Sequence, residues 1–565
     1  MTPAALLSRP RPTSLLSRIE AAAEGGGTIT FLGSAATTGE REPLRWSELY
    51  DDARSMAAGL QARGIGPGGH VAILGPTTRP LVTAVEATWL CGAAAVMLPL
   101  PMRLASIEEF VAQTRARILA SDSVLVVLDG QLAEFLDPQP GDPPTALLSE
   151  LVAGAAGPTA KAYSRPADDV DALAILQYTS GSTSDPKGVM LPDRCVTANL
   201  DAIARAAQLD PDRDVGVSWL PLYHDMGLIG LLATPMTTGL DLVISSPQDF
   251  LAAPARWMEW MHEFGGTVSA GPNFSYALAA RSLQRLRGLN LSRWRLALNG
   301  AEPVEPDAVD RFIAAGRDHS LDPGAVFPAF GMAEATLAVT FPQPGAGMTT
   351  DTVDARVLET ERYAAPVHRT GSGARRLARL GRPLHNLEIR IVDEGRGDVL
   401  GERAVGELEI RGDSVTTGYY NDEAATREAF HDGWLRTGDL GYMADGELVV
   451  CGRLKDVIIL GGRNVHPQDV ERVISTLDGV RAGNVIAFGT AGKRGKEALV
   501  VVAETKELEH AQIRDSIRDA VYGNIGLPPA DVVLVRPGTL PKTSSGKLQR
   551  TLCKQRWSDG VLEIV

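Results

Sequence analysis

From Trp46 onward, helix-spaced and strand-like stretches alternate for most of the chain, and no other feature restricts the fold as strongly. "WSELYDDARSMAAGLQARGI" has apolar residues at helical spacing and a stop at Gly64. "GGHVAILG" reads as a short buried strand, "TRPLVTAVEATWLCGA" as the next helix and "SVLVVLD" as another buried strand. Alternation of this kind predicts an α/β fold with parallel or mixed sheets, because each crossover helix returns the chain to the same end of the sheet and the next strand then runs parallel to the last. Residues 136–170, rich in Pro, Gly and Ala, read as a surface connection before the strand "ALAILQYTS". The 565 residues exceed what one hydrophobic core serves and suit about two to four domains. Towards the C-terminus, short strands ("DVIILGG", "GNVIAFGT", "EALVVVAE") mix with the amphipathic helices "PQDVERVISTLDGV" and "HAQIRDSIRDAVYGNI". The expected division is a large domain over 1–452 and a small α+β domain over 453–565, joined in "GRLKDVIILGG".

The strand "ALAILQYTS" runs into "LQYTSGSTSDPKGVML", residues 176–191. Small residues there let backbone N–H groups approach a ligand, and Lys187 adds a positive charge, which is the chemistry of a polyphosphate cradle. It is not a P-loop: Pro186 precedes the lysine and Gly188 follows it. A formal net charge of −14 gives no reason to expect nucleic acid as a partner, so any phosphate-binding charge has to be local. Cys91, Cys195, Cys451 and Cys553 are far apart and form no CxxC pair, which predicts reduced core thiols in a cytoplasmic protein rather than zinc or disulfides. The N-terminal stretch has no sustained apolar region of the signal-peptide kind, and no run reaches the ~18 apolar residues of a membrane helix.

Four further segments stand beside the Ser/Gly loop: "WLPLYHDMGLIG" (219–230), "LNGAEPV" (298–304) with "FPAFGMAEATL" (327–337), "WLRTGDLGYMADGELVVCGRLKD" (434–456) and "LPKTSSGKLQR" (540–550). Together, in this order and over nearly the whole chain, the five resemble the adenylate-forming superfamily of acyl and aryl ligases. The resemblance implies a large adenylation domain with a mobile C-terminal domain, ATP and Mg2+ as cofactors, and a two-step reaction. A carboxylate attacks the α-phosphate of ATP to give acyl-AMP and pyrophosphate, and a thiol or amine then takes the acyl group. The first step joins two anions, so it calls for neutralising charge and in-line positioning more than for a base.

Residue by residue, the resemblance assigns Thr179, Ser180, Gly181, Ser182, Thr183 and Lys187 to the β- and γ-phosphates. Glu334 matches the magnesium carboxylate, with Thr179 as a second metal-side oxygen; such ligands suit a hard cation. Gly300, Ala301, Glu302 and Pro303 match the segment lining the adenine, as do Phe330, Gly331 and Met332, with Phe330 where an aromatic stacks on the base. Asp439 matches the acceptor of both ribose hydroxyls, a fit for an ionised carboxylate that only accepts. Arg453 matches the ribose- and phosphate-contacting arginine, and Lys455 the hinge position. Lys547 matches the catalytic lysine that the mobile domain brings to the α-phosphate, and His224 a histidine near the acyl carboxylate. "SAGPNFSYAL" (269–278) resembles the acyl-pocket lining.

Within the superfamily, the chain resembles the fatty acyl-AMP ligases. The interval from Glu334 to "LGRPL" is longer than acyl-CoA ligases show, and the extra segment resembles the insertion thought to restrain domain rotation in the acyl-AMP branch. "RN" at 463–464 and "PQD" at 467–469 point the same way. His466, where that branch commonly has Tyr, and "LGG" before Arg463 depart from its pattern, so an acyl-CoA ligase remains the alternative. The resemblance implies a fatty acid substrate and, as acceptor, the phosphopantetheine thiol of an acyl carrier protein or a polyketide or nonribosomal synthase, with CoA as the alternative. No carrier attachment segment follows Lys547.

Overall fold

The computed structural model describes residues 13–33, 41–101, 107–155, 162–179, 186–368, 373–460, 463–492, 497–526, 528–543 and 546–565. Ser180, Gly181, Ser182 and Thr183 therefore lie outside the described residues.

Two large sheets form the greater part of the molecule. The six-stranded sheet runs Thr145–Leu147, Leu125–Leu128, His70–Leu74, Ala94–Met97, Leu173–Tyr178, Gly188–Pro192, parallel except for its last pair. Every residue of His70–Leu74, Ala94–Met97 and Leu125–Leu128 is buried, as strands covered by helices on both faces require. The seven-stranded sheet runs Val326–Pro328, Leu296–Asn299, Val268–Gly271, Val215–Ser218, Asp241–Ile244, Thr28–Leu32, Arg41–Arg45, again parallel except for its last pair. An antiparallel sheet built on Leu387–Val392, Gly406–Gly412, Trp434–Ala444 and Glu447–Arg453 follows.

The stretch 136–170 is more ordered than its composition predicts. Thr145–Leu147 adds an edge strand to the first sheet and Leu148–Ala155 is a helix, because "TALLSELV" supplies apolar residues at a spacing that both elements can bury.

The smaller C-terminal part has its own sheet, Val485–Ala491, Glu497–Glu504, Asp531–Val535, and strand alternation gives it two packed faces. Val485, Ala487, Val501 and Leu534 join the core beneath helices Pro467–Ile474 and His510–Ile525. Ile486, Phe488, Val500 and Val502 pack on the other side with Cys553 of helix Arg550–Ser558. All four cysteines are buried free thiols. Among the described residues no helix is long and apolar enough to cross a membrane.

The extra segment folds as a unit of its own. Thr350–Asp354 pairs antiparallel with Ala374–Ala378, and helix Ala355–Glu361 lies between them. Gly381 closes it at φ +79°, where a Cβ would sit 2.0 Å from the Phe341 carbonyl, so only glycine lets the chain rejoin the body there.

Candidate active site

The site forms where the two parts face each other. The antiparallel pair Leu173–Tyr178 and Gly188–Pro192 carries the Ser/Gly loop, and Thr179 N–H donates to the Lys187 carbonyl at 3.1 Å across its neck. Lys187 Nζ lies 4.7 Å from the centroid of the Tyr419 ring. The hydroxyl of Tyr419 donates to Glu334 Oε1 at 3.0 Å. Glu334 sits on the short turn Ala333–Ala335, and burial pushes its carboxyl above the usual range against the pull of the Tyr419 hydroxyl and Arg453. The next turn residue but one, Thr336, is held at φ +70°, ψ −55°, with its hydroxyl donating to the Ser414 carbonyl at 2.8 Å. A β-branched residue in that region costs about 1–3 kcal/mol, and such strain concentrates at functional sites.

Gly300 and Ala301 follow the strand Leu296–Asn299, and Ala329 N–H donates to the Asn299 carbonyl at 2.9 Å, so 300–303 and 329–332 run side by side. Phe330, Gly331 and Met332 are partly exposed beside them. A Cβ on Gly331 would lie 2.1 Å from the Leu337 carbonyl. Glu302 departs from its neighbours in this segment. Its Oε2 accepts from Phe274 N–H at 3.2 Å, at the start of helix Asn273–Leu283, and its charge acts on Lys547.

Asp439 and Arg453 are register partners on adjacent strands, and Arg453 Nε donates to Asp439 Oδ1 at 2.9 Å. Burial raises the Asp439 carboxyl, and Arg453 opposes that rise. His224 Nδ1 lies 2.5 Å from Asp225 Oδ1. Burial would raise the Asp225 carboxyl, but the fields of His224 and Lys547 and the Met226 N–H outweigh it and hold it low.

Lys547 comes from the small part and is only partly exposed. Its loop is tied by Thr543 N–H to the Lys547 carbonyl at 2.7 Å and by Lys547 N–H to Thr543 Oγ1 at 3.0 Å. The neighbouring Gly546 approaches Phe274 of the large part: a Cβ there would lie 3.8 Å from the ring. Burial lowers the Lys547 ammonium below the usual lysine range, while Asp225 and Glu302 favour its charge. Lys547, Asp225, Glu302, Asp439 and Arg453 thus share one electrostatic neighbourhood. Lys455 does not join them; it is exposed, on the turn Leu454–Asp456. Arg550 binds that turn to the small part through Asp456 and also reaches Glu471 at 2.8 Å.

A hard cation that bridges phosphates needs only one or two protein carboxylates, the rest of its shell being phosphate and water. Glu334 meets that requirement: a partly exposed carboxylate whose donors are its own backbone N–H and the neutral Tyr419 hydroxyl, with no ion-pair partner among the described residues. No group of three or more His, Cys, Asp or Glu with metal-site geometry exists among the described residues.

Three features were not visible as site features in the sequence. Tyr419 looks like any core aromatic in "TTGYYND". Asp225 is marked only by its neighbour His224. The third is the set of residues that join the extra segment to the small part, a contact that the resemblance implied only as a restraint on rotation: Arg463 Nε donates to Glu359 Oε2 at 2.8 Å, Asn464 Nδ2 to the Glu359 carbonyl at 3.2 Å, and Arg375 Nε lies 2.9 Å from Asp469 Oδ1. Arg375 also donates to the Cys451 carbonyl at 2.7 Å.

The family profile described as AMP-binding enzyme matches residues 20–420. The ligase Rv1013 of Mycobacterium tuberculosis is 39% identical over 526 residues, covering 91% of this chain and 95% of its own. The medium-chain-fatty-acid–[acyl-carrier-protein] ligase JamA of Moorena producens is 32% identical, with 93% of this chain and 92% of its own covered. A solved structure from work on fatty acyl-adenylate ligases of E. coli and L. pneumophila superposes with a TM-score of 0.89 at 31% identity, covering 97% of this chain and 98% of that one. Other mycobacterial relatives of similar identity carry both fatty-acid–CoA ligase and long-chain-fatty-acid–AMP ligase names. The chain belongs to the AMP-binding enzymes of the adenylate-forming superfamily, on the branch of the fatty acyl-AMP ligases.

Proposed function

We propose that this protein activates a fatty acid with ATP and hands the acyl group to the phosphopantetheine thiol of a carrier protein. The observation that carries this reading is Lys547: a lysine from the small part, drawn into the electrostatic neighbourhood of Asp225, Glu302 and the Asp439–Arg453 pair of the large part. In the first step a carboxylate oxygen bonds to the α-phosphorus and the bond to the β-phosphate oxygen breaks, releasing pyrophosphate. Lys547 offsets the negative charge of the approaching carboxylate and α-phosphate, as a point charge on a long stem. Asp439 accepts from the ribose hydroxyls, and Arg453 favours its ionised form against the effect of burial. Lys187 and the loop it ends hold the β- and γ-phosphates. Gly300, Ala301 and Pro303 with Phe330–Met332 border the adenine, while the Glu302 carboxylate serves Lys547 and the start of the acyl-pocket helix. His224, fixed by Asp225, orients the fatty carboxylate. Glu334, with Thr179, would hold Mg2+, which supplies charge neutralisation on the phosphates. In the second step the thiol sulfur bonds to the acyl carbon, AMP leaves with the electron pair of the anhydride bond, and the thiol proton passes to solvent.

Support for a carrier thiol over CoA comes from the extra segment. The Glu359–Arg463 and Arg375–Asp469 contacts hold the small part in the orientation that presents Lys547. Rotation towards a different acceptor site would break both. JamA, a relative over nearly the full length, is named for transfer to an acyl carrier protein. The second reading, acyl-CoA synthesis, draws on "LGG" before Arg463 and on relatives named as CoA ligases. Purified enzyme with ATP, Mg2+ and labelled fatty acid, with and without CoA, separates the two. Acyl-AMP that persists in the presence of CoA is expected; abundant acyl-CoA would replace the first reading with the second.

A further inference from the structure

Lys187 and Glu334 come from distant parts of the chain, yet both touch the side chain of Tyr419. The ammonium lies 4.7 Å over the ring and the carboxylate accepts from the hydroxyl at 3.0 Å. The tyrosine is 9% exposed, and its backbone is fixed from two sides. Its N–H donates to Thr426 Oγ1 at 2.9 Å. The flanking residues pair with the strand that leaves the Ser/Gly loop: Met190 N–H to the Gly418 carbonyl at 3.0 Å and Tyr420 N–H to the Gly188 carbonyl at 2.8 Å. On the other side Thr416 N–H donates to the Glu334 carbonyl at 2.7 Å. The segment 416–420 thus ties the strand bearing Lys187 to the turn bearing Glu334.

We propose that Tyr419 is a positioning residue that sets the spacing between the phosphate-side lysine and the metal-side carboxylate through the face and the hydroxyl of one ring. This rests on the roles given to Lys187 and Glu334 above. The chemistry suits the task. A π-face attracts an ammonium without neutralising it, so the lysine keeps its charge for phosphate. A carboxylate in place of the ring would form an ion pair with the lysine and compete with the nucleotide. The phenol hydroxyl gives Oε1 of Glu334 a neutral donor, helps to fix the plane of the carboxylate and brings no positive charge to compete with a cation. Partners of this kind around a metal ligand set its orientation and affinity. A tyrosine buried only for packing would satisfy its hydroxyl on any nearby acceptor and would have no bearing on metal affinity.

The test measures binding on the full-length protein without fatty acid. ATP is titrated calorimetrically at several Mg2+ concentrations, and Mn2+ binding to the ATP complex is followed by electron paramagnetic resonance. Tyr419→Phe keeps the ring and removes the hydroxyl. It is expected to weaken Mn2+ binding about 10- to 100-fold. ATP affinity at saturating metal should stay near wild type. In a Glu334→Gln background the same change should have little further effect on Mn2+, because the hydroxyl acts through that carboxylate. Tyr419→Leu removes the ring as well and should lower ATP affinity at saturating metal by about a further three- to tenfold. The proposal is overturned if Tyr419→Phe binds Mn2+ like wild type, or if it loses ATP affinity equally at every metal concentration, as a packing defect would. If wild type itself binds ATP with no metal dependence, the assignment of Glu334 fails first and this inference falls with it.

Discussion

Two sets of acid–base ties flank the junction between the large and small parts, and they differ in what a rotation would do to them. Asp439–Arg453 lies within one antiparallel strand pair, so both partners belong to the same rigid sheet. Glu359–Arg463 and Arg375–Asp469 join the extra segment to residues of the small part. Between the two sets lies the turn Leu454–Asp456, which Arg550 binds to the small part through Asp456. A swivel at Lys455 would leave the first tie intact and break the second set. On the proposed function, the comparison teaches that the nucleotide side of the site would persist through a swivel, while presentation of Lys547 would depend on contacts that a swivel releases. The difference is one of connectivity and not of burial. Asp439 is 7% exposed and Arg453 57%, while Arg463 and Glu359 keep 29% and 12%, and Arg375 and Asp469 6% and 24%, so every pair has one well-buried partner.

The largest effect expected is on the side that moves. Lys547→Ala should lower adenylate formation by about 100- to 1,000-fold, the scale of losing one group aimed at developing charge. ATP binding should stay within about threefold, because the persistent side is untouched. Equal losses in both would erase the distinction between the two sides. Next, Asp439→Asn should weaken ATP binding about tenfold or more, since it removes an ionised acceptor. The extra-segment contacts should be untouched, which proteolysis at the junction would check.

The double change Glu359→Gln with Arg375→Gln acts on the releasable side. Adenylate formation should fall by no more than about fivefold, while transfer to CoA, measured as acyl-CoA per turnover, should rise by about the same factor or more. No gain in acyl-CoA with full adenylation retained would mean that these contacts do not set the acceptor.

A smaller effect lies in pH. Lys547 must carry charge to act, and burial lowers its ammonium below the usual lysine range. The charged form is complete below that lowered value, so adenylation should fall as pH rises through it, earlier than an exposed lysine would predict. Lys547→Arg should remove that alkaline limb, whatever activity it retains, because a guanidinium stays charged. A limb unchanged in Lys547→Arg would assign the titration to another group.

The grouping of the candidate site was legible in the sequence where it depends on a short run of neighbours. Lys547, Asp439, Arg453 and Glu334 each sit in a motif whose local backbone presents them, and the structure brings these four into one region. What could not be read depends on partners far apart in the chain. Glu359 meets Arg463 only because the extra segment folds back on the small part. Tyr419 gains its partners from two other segments, and Glu302, read as an adenine neighbour, turns its carboxylate to Phe274 N–H. The fold followed the same rule. Buried strands such as "HVAIL" announced themselves, whereas the edge strand Thr145–Leu147 in a Pro/Gly-rich stretch did not. The loop residues Ser180–Thr183 lie outside the described residues, so their part in the phosphate cradle remains a proposal from the motif.

The central claim is that a lysine of the small part meets the nucleotide held by the large part. A crystal structure with bound acyl adenylate tests it most directly. The account predicts Lys547 Nζ at about 3 Å from an oxygen of the adenylate, the distance of a charge-assisted hydrogen bond. A complex in which that nitrogen is far from the ligand in every orientation of the small part would contradict it.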